Sequence, residues 1–205
     1  MEPLYIGIAG VSRSGKDSLA VEIEKIIRNH NQKIFVYKSS LAQPLKEDCA
    51  AFIKNYLNLN VFTDKTEEKS IFREFLVWYG KVKRQQTEGK HWTNLLDERV
   101  KNFKPDICIV PDIRYQQYRE DEVNWLKSKS RNVLIHLQRV AINGEIVQPA
   151  NMDESINDSI LQDMADYKIV WPTFVEDGKD ECMREIAQQA FNTVIKEKFN
   201  YGINP

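Results

Sequence analysis

Two glycines and a lysine near the start of the sequence have the types and spacing of a loop that binds phosphate. Gly10 and Gly15 are separated by four residues, and Lys16 follows directly. Glycine allows backbone conformations in which successive amides point at phosphate oxygens, and lysine adds a mobile positive charge for the terminal phosphates. The residues that we expect to contact a nucleoside triphosphate are Gly10, Val11, Ser12, Arg13, Ser14, Gly15, Lys16, Asp17 and Ser18.

The residues on either side of this loop support the interpretation. Residues 4–9 form an apolar run that ends at a glycine, which predicts a buried strand. Residues 19–27 have apolar side chains at helical spacing. A strand, a glycine loop and a helix are the context that a phosphate site requires, because the helix N-terminus favours negative charge. The alternative is a glycine-rich turn that binds nothing.

Two aspartates are candidates for organising Mg²⁺, directly or through water. Asp17 stands where such loops usually carry the Ser or Thr that binds the metal, and a carboxylate is also a suitable hard ligand. The alternative is that Asp17 only complements the helix dipole. Asp112 follows a second apolar run, residues 107–111, as the Mg²⁺-organising aspartate does in P-loop enzymes. However, many strands end at aspartate only to form a turn.

The remaining chain alternates between predicted strands and helices. We expect further strands at residues 33–38, 107–111, 132–137 and 167–171, and helices at about 44–57, 67–81, 92–103, 120–129, 155–164 and 180–199. This order predicts an α/β protein with the three-layer P-loop NTPase fold, a mostly parallel sheet with helices on both faces. Ligands of such sheets bind at the carboxyl ends of the strands.

We treat residues 1–205 as one kinase-sized domain with two specialised regions. A helical region at about residues 42–103 is suited to binding the acceptor. The polar segment at about residues 139–160 is either a mobile lid or a surface excursion.

Composition restricts the partners. The formal net charge of −1 implies no bulk attraction to nucleic acid or membranes, although the basic residues at 81–84 keep a local nucleic-acid patch open. No apolar stretch approaches membrane-spanning length. Three scattered cysteines suit a reducing cytoplasm. We therefore expect a cytoplasmic protein that acts on small molecules, with a homodimer left open.

Arginines between the predicted strands indicate a small acceptor that carries its own phosphate, since arginine binds phosphate bidentately. The Asn-Lys-x-Asp motif with which regulatory GTPases read the base is missing from the sequence. The candidate arginines are Arg13, Arg73, Arg84, Arg114, Arg119 and Arg139. For each of them, the alternative is a solvated surface position.

The residues from Gly10 to Ser18 resemble the loop of phage-type deoxynucleoside monophosphate kinases, which also reads Gly-Lys-Asp and has a basic residue before the second glycine. The resemblance extends to residues 42–46, to residues 73–84 with the following Trp92, and to the Asp-x-Arg turn within residues 110–115. It does not extend beyond about Val140.

This resemblance implies ATP-dependent phosphorylation of a deoxynucleoside 5′-monophosphate to the diphosphate, with ATP and Mg²⁺ as cofactors. Lys16, Asp112 and Arg114 would be the catalytic residues. Lys16 and the loop amides would hold the β- and γ-phosphates, while Asp112 would organise Mg²⁺ through water. Arg139 would serve the ATP side or the lid.

The resemblance also implies an acceptor site on the helical region. Arg73, Arg84 and Arg114 would bind the acceptor phosphate and the transferring group. Trp78, Tyr79 and Trp92 are candidates for stacking on a base, although aromatic residues at helical spacing usually belong to a core.

Two other functions fit the same residues. One is a P-loop kinase for another small acceptor, such as a phosphomevalonate-type compound or a coenzyme precursor. The other is a nucleotide-binding protein that catalyses no transfer.

Overall fold

Five parallel strands form a single sheet in the computed structural model, which describes residues 2–174 and 178–200. Their order across the sheet is β2-β3-β1-β4-β5, and each neighbouring pair is parallel. The strands are β1 (Leu4–Ala9), β2 (Val36–Lys38), β3 (Ile107–Ile113), β4 (Asn132–Val140) and β5 (Tyr167–Pro172). The predicted α/β class with a parallel sheet of the P-loop NTPase fold is thus confirmed.

Helices connect the strands and continue to the end of the described chain. They are α1 (Lys16–His30), α2 (Ala42–Leu57), α3 (Thr66–Gln86), α4 (Lys90–Phe103), α5 (Glu122–Ser128), α6 (Met152–Met164), α7 (Lys179–Ala190) and α8 (Lys196–Asn200). A π-helical stretch, Phe191–Ile195, joins the last two. No helix within residues 2–174 and 178–200 is long and apolar enough to cross a membrane.

The prediction that helix α3 ends near Gly80 is wrong, because the helix continues to Gln86. Gly80 is buried inside α3, and a β-carbon there would lie 3.4 Å from the side chain of Leu45. The Gly80 carbonyl also accepts a hydrogen bond from Trp92 Nε1 at 3.4 Å. Gly80 therefore lies where α3 contacts α2 and α4, and it does not end α3.

Successive side chains of β1 point to opposite faces of the sheet, and this explains why the fold has a layer of helices on each face. Leu4, Ile6 and Ile8 lie in the core on the side of α1 and α7, whereas Tyr5 and Ala9 lie in the core on the side of α4 and α5. Because both faces are apolar, the sheet is covered on both sides. A smaller apolar cluster joins α2 to α3.

The sheet register gathers the predicted site residues at one edge. Ala9, the last residue of β1, is paired with Ile113 of β3 and with His136 of β4. The phosphate loop follows Ala9 directly, and Arg114 follows Ile113. The carboxyl ends of the three central strands therefore lie side by side.

Candidate active site

The loop between β1 and α1 requires its two glycines. Both have left-handed backbone conformations, with φ of 137° at Gly10 and 99° at Gly15. A β-carbon would lie 2.2 Å from the carbonyl oxygen of Leu137 at Gly10, and 2.6 Å from Trp171 at Gly15. These contacts are too short for any other residue. The spacing from which the sequence predicted a phosphate loop therefore has a direct steric cause.

Lys16 is folded back onto this loop. Its Nζ donates hydrogen bonds of 2.7 Å to the carbonyl oxygens of Gly10 and Val11. The side chain is buried, and burial lowers its pKa to about 8, with the nearby positive charge of Arg114 acting in the same direction. The ammonium group is thus desolvated in advance at the place where phosphates would bind.

Two features of Ser14 were not predicted from the sequence. Trp171, at the end of β5, donates a hydrogen bond of 2.7 Å from Nε1 to the Ser14 carbonyl and so stabilises the loop. The Ser14 hydroxyl is buried and has no hydrogen-bond partner within the described part of the chain. A buried polar atom without a partner is unusual and is available to a ligand. No signal in the sequence shows that β5 reaches this loop.

Arg139 fastens the same loop to β5. Its Nε donates to Thr173 Oγ1 at 2.7 Å, its Nη1 donates to the Arg13 carbonyl at 3.2 Å, and its guanidinium lies 5.3 Å from the Trp171 ring. Arg139 thus lies beside the phosphate loop. Its contact with phosphate stays a prediction.

Glu154, at the start of α6, also contacts the loop. The Ser12 amide donates to Glu154 Oε1 at 2.6 Å, and the Ala150 amide donates to Oε2 at 2.7 Å. Glu154 was not predicted as a site residue. The segment predicted as a lid therefore touches the phosphate loop, and this contact is made by a carboxylate.

Asp112 fixes the start of α2. Its Oδ1 accepts from the Leu41 amide at 2.8 Å, and its Oδ2 accepts from Ser40 Oγ at 2.6 Å and the Ala42 amide at 2.9 Å. A carboxylate has about four lone-pair sites, so one stays available for a metal-bound water. Asp112 thus orients the wall of the acceptor region in addition to its predicted metal role.

The residues present fit Mg²⁺ that arrives with a nucleotide. Mg²⁺ keeps several waters and is commonly bound by one or two carboxylates plus phosphate oxygens. Asp17 is exposed in the first turn of α1, and the charges of both Asp17 and Asp112 act on Lys16. Within the described residues, no cluster of three or more His, Cys, Asp or Glu side chains could hold a metal by itself. Asp17 and Asp112 are therefore the residues that would hold the ion, through water.

A cleft of about 540 Å³ opens beside the loop, between α2, α3 and the end of β3. Three predicted acceptor residues, Arg73, Arg84 and Arg114, line it, and so does Trp92. Trp78 and Arg119 are not among the lining residues, and the Trp78 side chain is 59% exposed. The basic lining residues are Arg13, Lys46, Lys69, Arg73, Lys81, Arg84 and Arg114.

Arg84 differs from the other basic residues of the cleft. It is buried and paired with Asp121, with distances of 3.1 Å from Nε to Oδ1 and 2.5 Å from Nη2 to Oδ2. Its guanidinium also lies 3.6 Å from the Tyr115 ring centroid. Two of its three nitrogens are thus engaged by the protein. A direct contact of Arg84 with the acceptor phosphate stays a prediction, and its visible role is to hold the segment after β3.

Glu122 also holds the segment after β3. Its Oε2 accepts from the amides of Arg114 at 2.6 Å and Tyr115 at 3.2 Å. Burial raises the pKa of Glu122 to about 8. Neither Asp121 nor Glu122 was predicted as a site residue. The only signal in the sequence was a run of three acidic residues, 120–122, before a run of apolar residues at helical spacing.

Comparison with known proteins identifies a family whose sequence model matches this chain. The family model for phosphomevalonate kinase matches residues 8–135, which is more than half of the chain. No curated protein sequence matches the chain.

Similar solved structures include the APS kinase of Mycobacterium tuberculosis, at 13% identity, with 95% of this chain and 98% of that chain covered and a TM-score of 0.41. The shikimate kinase of Acinetobacter baumannii shares 12% identity, with 96% and 95% covered and a TM-score of 0.46. At this distance, neither structure bears on the reaction of this chain.

Proposed function

The chain belongs to the phosphomevalonate kinase family, and from this premise we propose that it transfers the γ-phosphoryl group of ATP to a small phosphorylated acid. The acceptor would be of the phosphomevalonate type, with a phosphate and a second anionic group. The observation that carries this proposal is the strongly basic cleft that opens directly beside the phosphate loop.

The charge balance of the cleft supports an acceptor with more than one anionic group. The two acidic residues that line it, Asp112 and Glu122, both accept hydrogen bonds from backbone amides of the protein. Of the seven basic lining residues, Arg84 is neutralised by Asp121, and Lys69 Nζ lies 3.7 Å from Asp64 Oδ1. The positive charge that remains exceeds what a single phosphate would balance.

Positioning and charge neutralisation would accomplish most of the catalysis. The attacking oxygen belongs to a phosphate that is already ionised, so no general base is required. Lys16 would neutralise charge on the β- and γ-phosphates, and Arg114, at the mouth of the cleft, would bind the acceptor phosphate and the transferring group. Asp17 and Asp112 would hold Mg²⁺ through water, and the ion would supply positive charge that offsets the charge of the triphosphate.

A deoxynucleoside monophosphate is the second candidate acceptor, and one observation favours it. The aromatic side chains of Phe72, Trp92 and Tyr115 line the cleft, and aromatic faces stack on bases. However, Tyr115 is already covered by Arg84, and Trp92 Nε1 is bonded to Gly80. These contacts place the base-stacking hypothesis second.

An acceptor panel tests the proposal. The protein is incubated with ATP, Mg²⁺ and one acceptor, and ADP formation is corrected for the rate without acceptor. The acceptors are 5-phosphomevalonate, its unphosphorylated parent acid as the matched control, and the four deoxynucleoside monophosphates. We expect kcat/KM for 5-phosphomevalonate to exceed the others by at least about tenfold, because two anionic groups would be bound.

Three other outcomes would each contradict the proposal. Turnover only with a deoxynucleoside monophosphate would establish the second candidate. Turnover of the unphosphorylated acid at an equal rate would show that the cleft does not bind an acceptor phosphate. ATP binding without transfer to any acceptor would identify a non-catalytic nucleotide-binding protein.

A further inference from the structure

Glu154 engages a backbone donor of the phosphate loop. The amides of a phosphate loop point inward and bind phosphate oxygens. One of them, from Ser12, donates to Glu154 Oε1 at 2.6 Å. Glu154 lies in α6, beyond the residues that match the family model. The contact joins residues 142 positions apart in sequence, so it is a tertiary interaction and not a local cap.

A carboxylate in this position resembles a phosphate in charge and in its acceptor oxygens. The negative charge of Glu154 also acts on Lys16, where it opposes the lowering of the lysine pKa that burial causes. Glu154 is therefore within electrostatic range of both the amide and the ammonium group that would receive the phosphates. A polyphosphate at the same place would compete for the Ser12 amide and would be repelled by the carboxylate.

The rest of α6 is fixed independently of Glu154. His136 Nε2 lies 2.9 Å from Asp158 Oδ1, the Gln116 amide donates to Asn157 Oδ1 at 3.2 Å, and Leu161 is buried in the core. The helix start is capped by Asn151, whose side chain accepts from the Glu154 amide at 2.9 Å. Release of the Glu154 side chain would thus require movement only of the first turn and the preceding segment.

We propose that Glu154 is an autoinhibitory contact, a carboxylate that holds the Ser12 amide in the nucleotide-free protein and must leave when a triphosphate binds. The proposal rests on the proposed function in one respect, namely that ATP binds at this loop. Its consequence is that ATP affinity is lower than the loop alone would provide, because only the fraction of molecules with Glu154 released is competent to bind.

Titration calorimetry with ATP and Mg²⁺ tests the contact on the full chain. We expect Glu154→Ala to lower the Kd for ATP by about tenfold, because a hydrogen bond to a charged group no longer opposes binding. Glu154→Gln keeps an acceptor oxygen but loses the charge, so its Kd should lie between those of wild type and Glu154→Ala. Asp163→Asn is the matched control, since it removes an exposed charge from the same helix far from the loop, and its Kd should equal that of the wild type.

An unchanged or weaker affinity in both Glu154 variants would overturn the contact while leaving ATP binding, and the proposed function, intact. If the wild type showed no ATP binding, a gain of binding in Glu154→Ala would still support the contact. No binding in either protein would contradict both proposals together. The two failures are therefore distinguishable in one series of titrations.

Discussion

The donor loop and the acceptor cleft lie side by side, but they are built in different ways. The loop is a run of consecutive residues whose conformation is set by two glycines within it. The cleft is assembled from α2, α3 and the segment after β3, and it depends on the Arg84–Asp121 pair, whose members are 37 residues apart in sequence. The groups that would bind the triphosphate are contiguous in the chain, although Trp171, Arg139 and Glu154 contact the loop from distant segments. The acceptor site, in contrast, exists only after long-range packing.

This difference predicts how each region responds to mutation. Removing a chemical group from the loop should abolish function and leave the fold intact. Removing a group that holds the cleft should cost stability and function together, because the same contacts do both. A loop variant that unfolds the protein, or a cleft variant that loses activity without losing stability, would contradict this difference. Variants that behave as expected would support the roles assigned to the residues.

The largest effect is expected for Arg84→Ala. It leaves the Asp121 carboxylate buried without its ionic partner, and breaking a buried pair in this way costs about 3–5 kcal/mol. Urea unfolding measures the loss of free energy. Because Asp121 also accepts from the amides of Gln117 and Tyr118, we expect the segment after β3 to loosen and the KM for the acceptor to rise.

Arg73→Ala is the control, since Arg73 is an exposed residue of the same helix that lines the same cleft. Its free energy of unfolding should stay within about 0.5 kcal/mol of the wild type. Equal stability of the Arg84 and Arg73 variants would show that the buried pair does not hold the cleft. The comparison between local and long-range construction would then fail.

On the donor side, Lys16→Ala should lower kcat by about 10²–10³-fold, because one preorganised charge is lost from the transferring phosphates. The fold should stay intact, and the free energy of unfolding should fall by about 1–2 kcal/mol, because the carbonyl oxygens of Gly10 and Val11 lose their donor. Steady-state kinetics and urea unfolding on the same preparation separate the two quantities.

Lys25→Ala is the matched control for this variant. Lys25 lies on the same helix and forms an exposed pair with Glu22, so its removal should leave kcat unchanged and have little effect on stability. Substantial turnover by the Lys16 variant would remove the lysine from the mechanism.

The sequence was sufficient to predict the donor side because its determinants are contiguous. The glycines, Lys16 and the flanking strand and helix are adjacent in the chain, and steric rules for glycine apply without knowledge of the fold. The parallel sheet followed from the same kind of reasoning, since each buried strand has its own apolar run. Rules that use only neighbouring residues therefore predicted those features that neighbouring residues determine.

The acceptor side could not be predicted to the same depth. Arg84 has the residue type of a phosphate ligand, and only the packed structure shows that Asp121 and Tyr115 engage it. The donor side has the same limit for its distant contacts, since Glu154 and Trp171 reach the loop from 142 and 157 residues away. A sequence pattern does not show which residues that are distant in the chain lie close together in the folded protein. Their roles therefore become visible only when the strands and helices are in place.

The smallest predicted effect concerns the boundary between the two regions, where Arg114 of the cleft acts on Lys16 of the loop. Burial, and after it the charge of Arg114, lowers the pKa of Lys16 to about 8 in the free protein. The protonated lysine is the form that binds phosphate. Affinity for ATP should therefore be constant below pH 8 and fall by at most about tenfold per pH unit above it.

In Arg114→Ala the second of these two causes is absent, so the pKa of Lys16 should rise and the decline in ATP affinity should begin at higher pH. We expect this shift to be small, because Arg114 is exposed and its charge is partly screened by solvent. Calorimetric titrations between pH 7 and pH 9.5 measure the midpoint, and Arg119→Ala, an exposed position outside the cleft lining, provides the unshifted reference. If the wild type and the Arg114 variant share one midpoint, the two regions are electrostatically independent, and the charge of the cleft does not tune the loop.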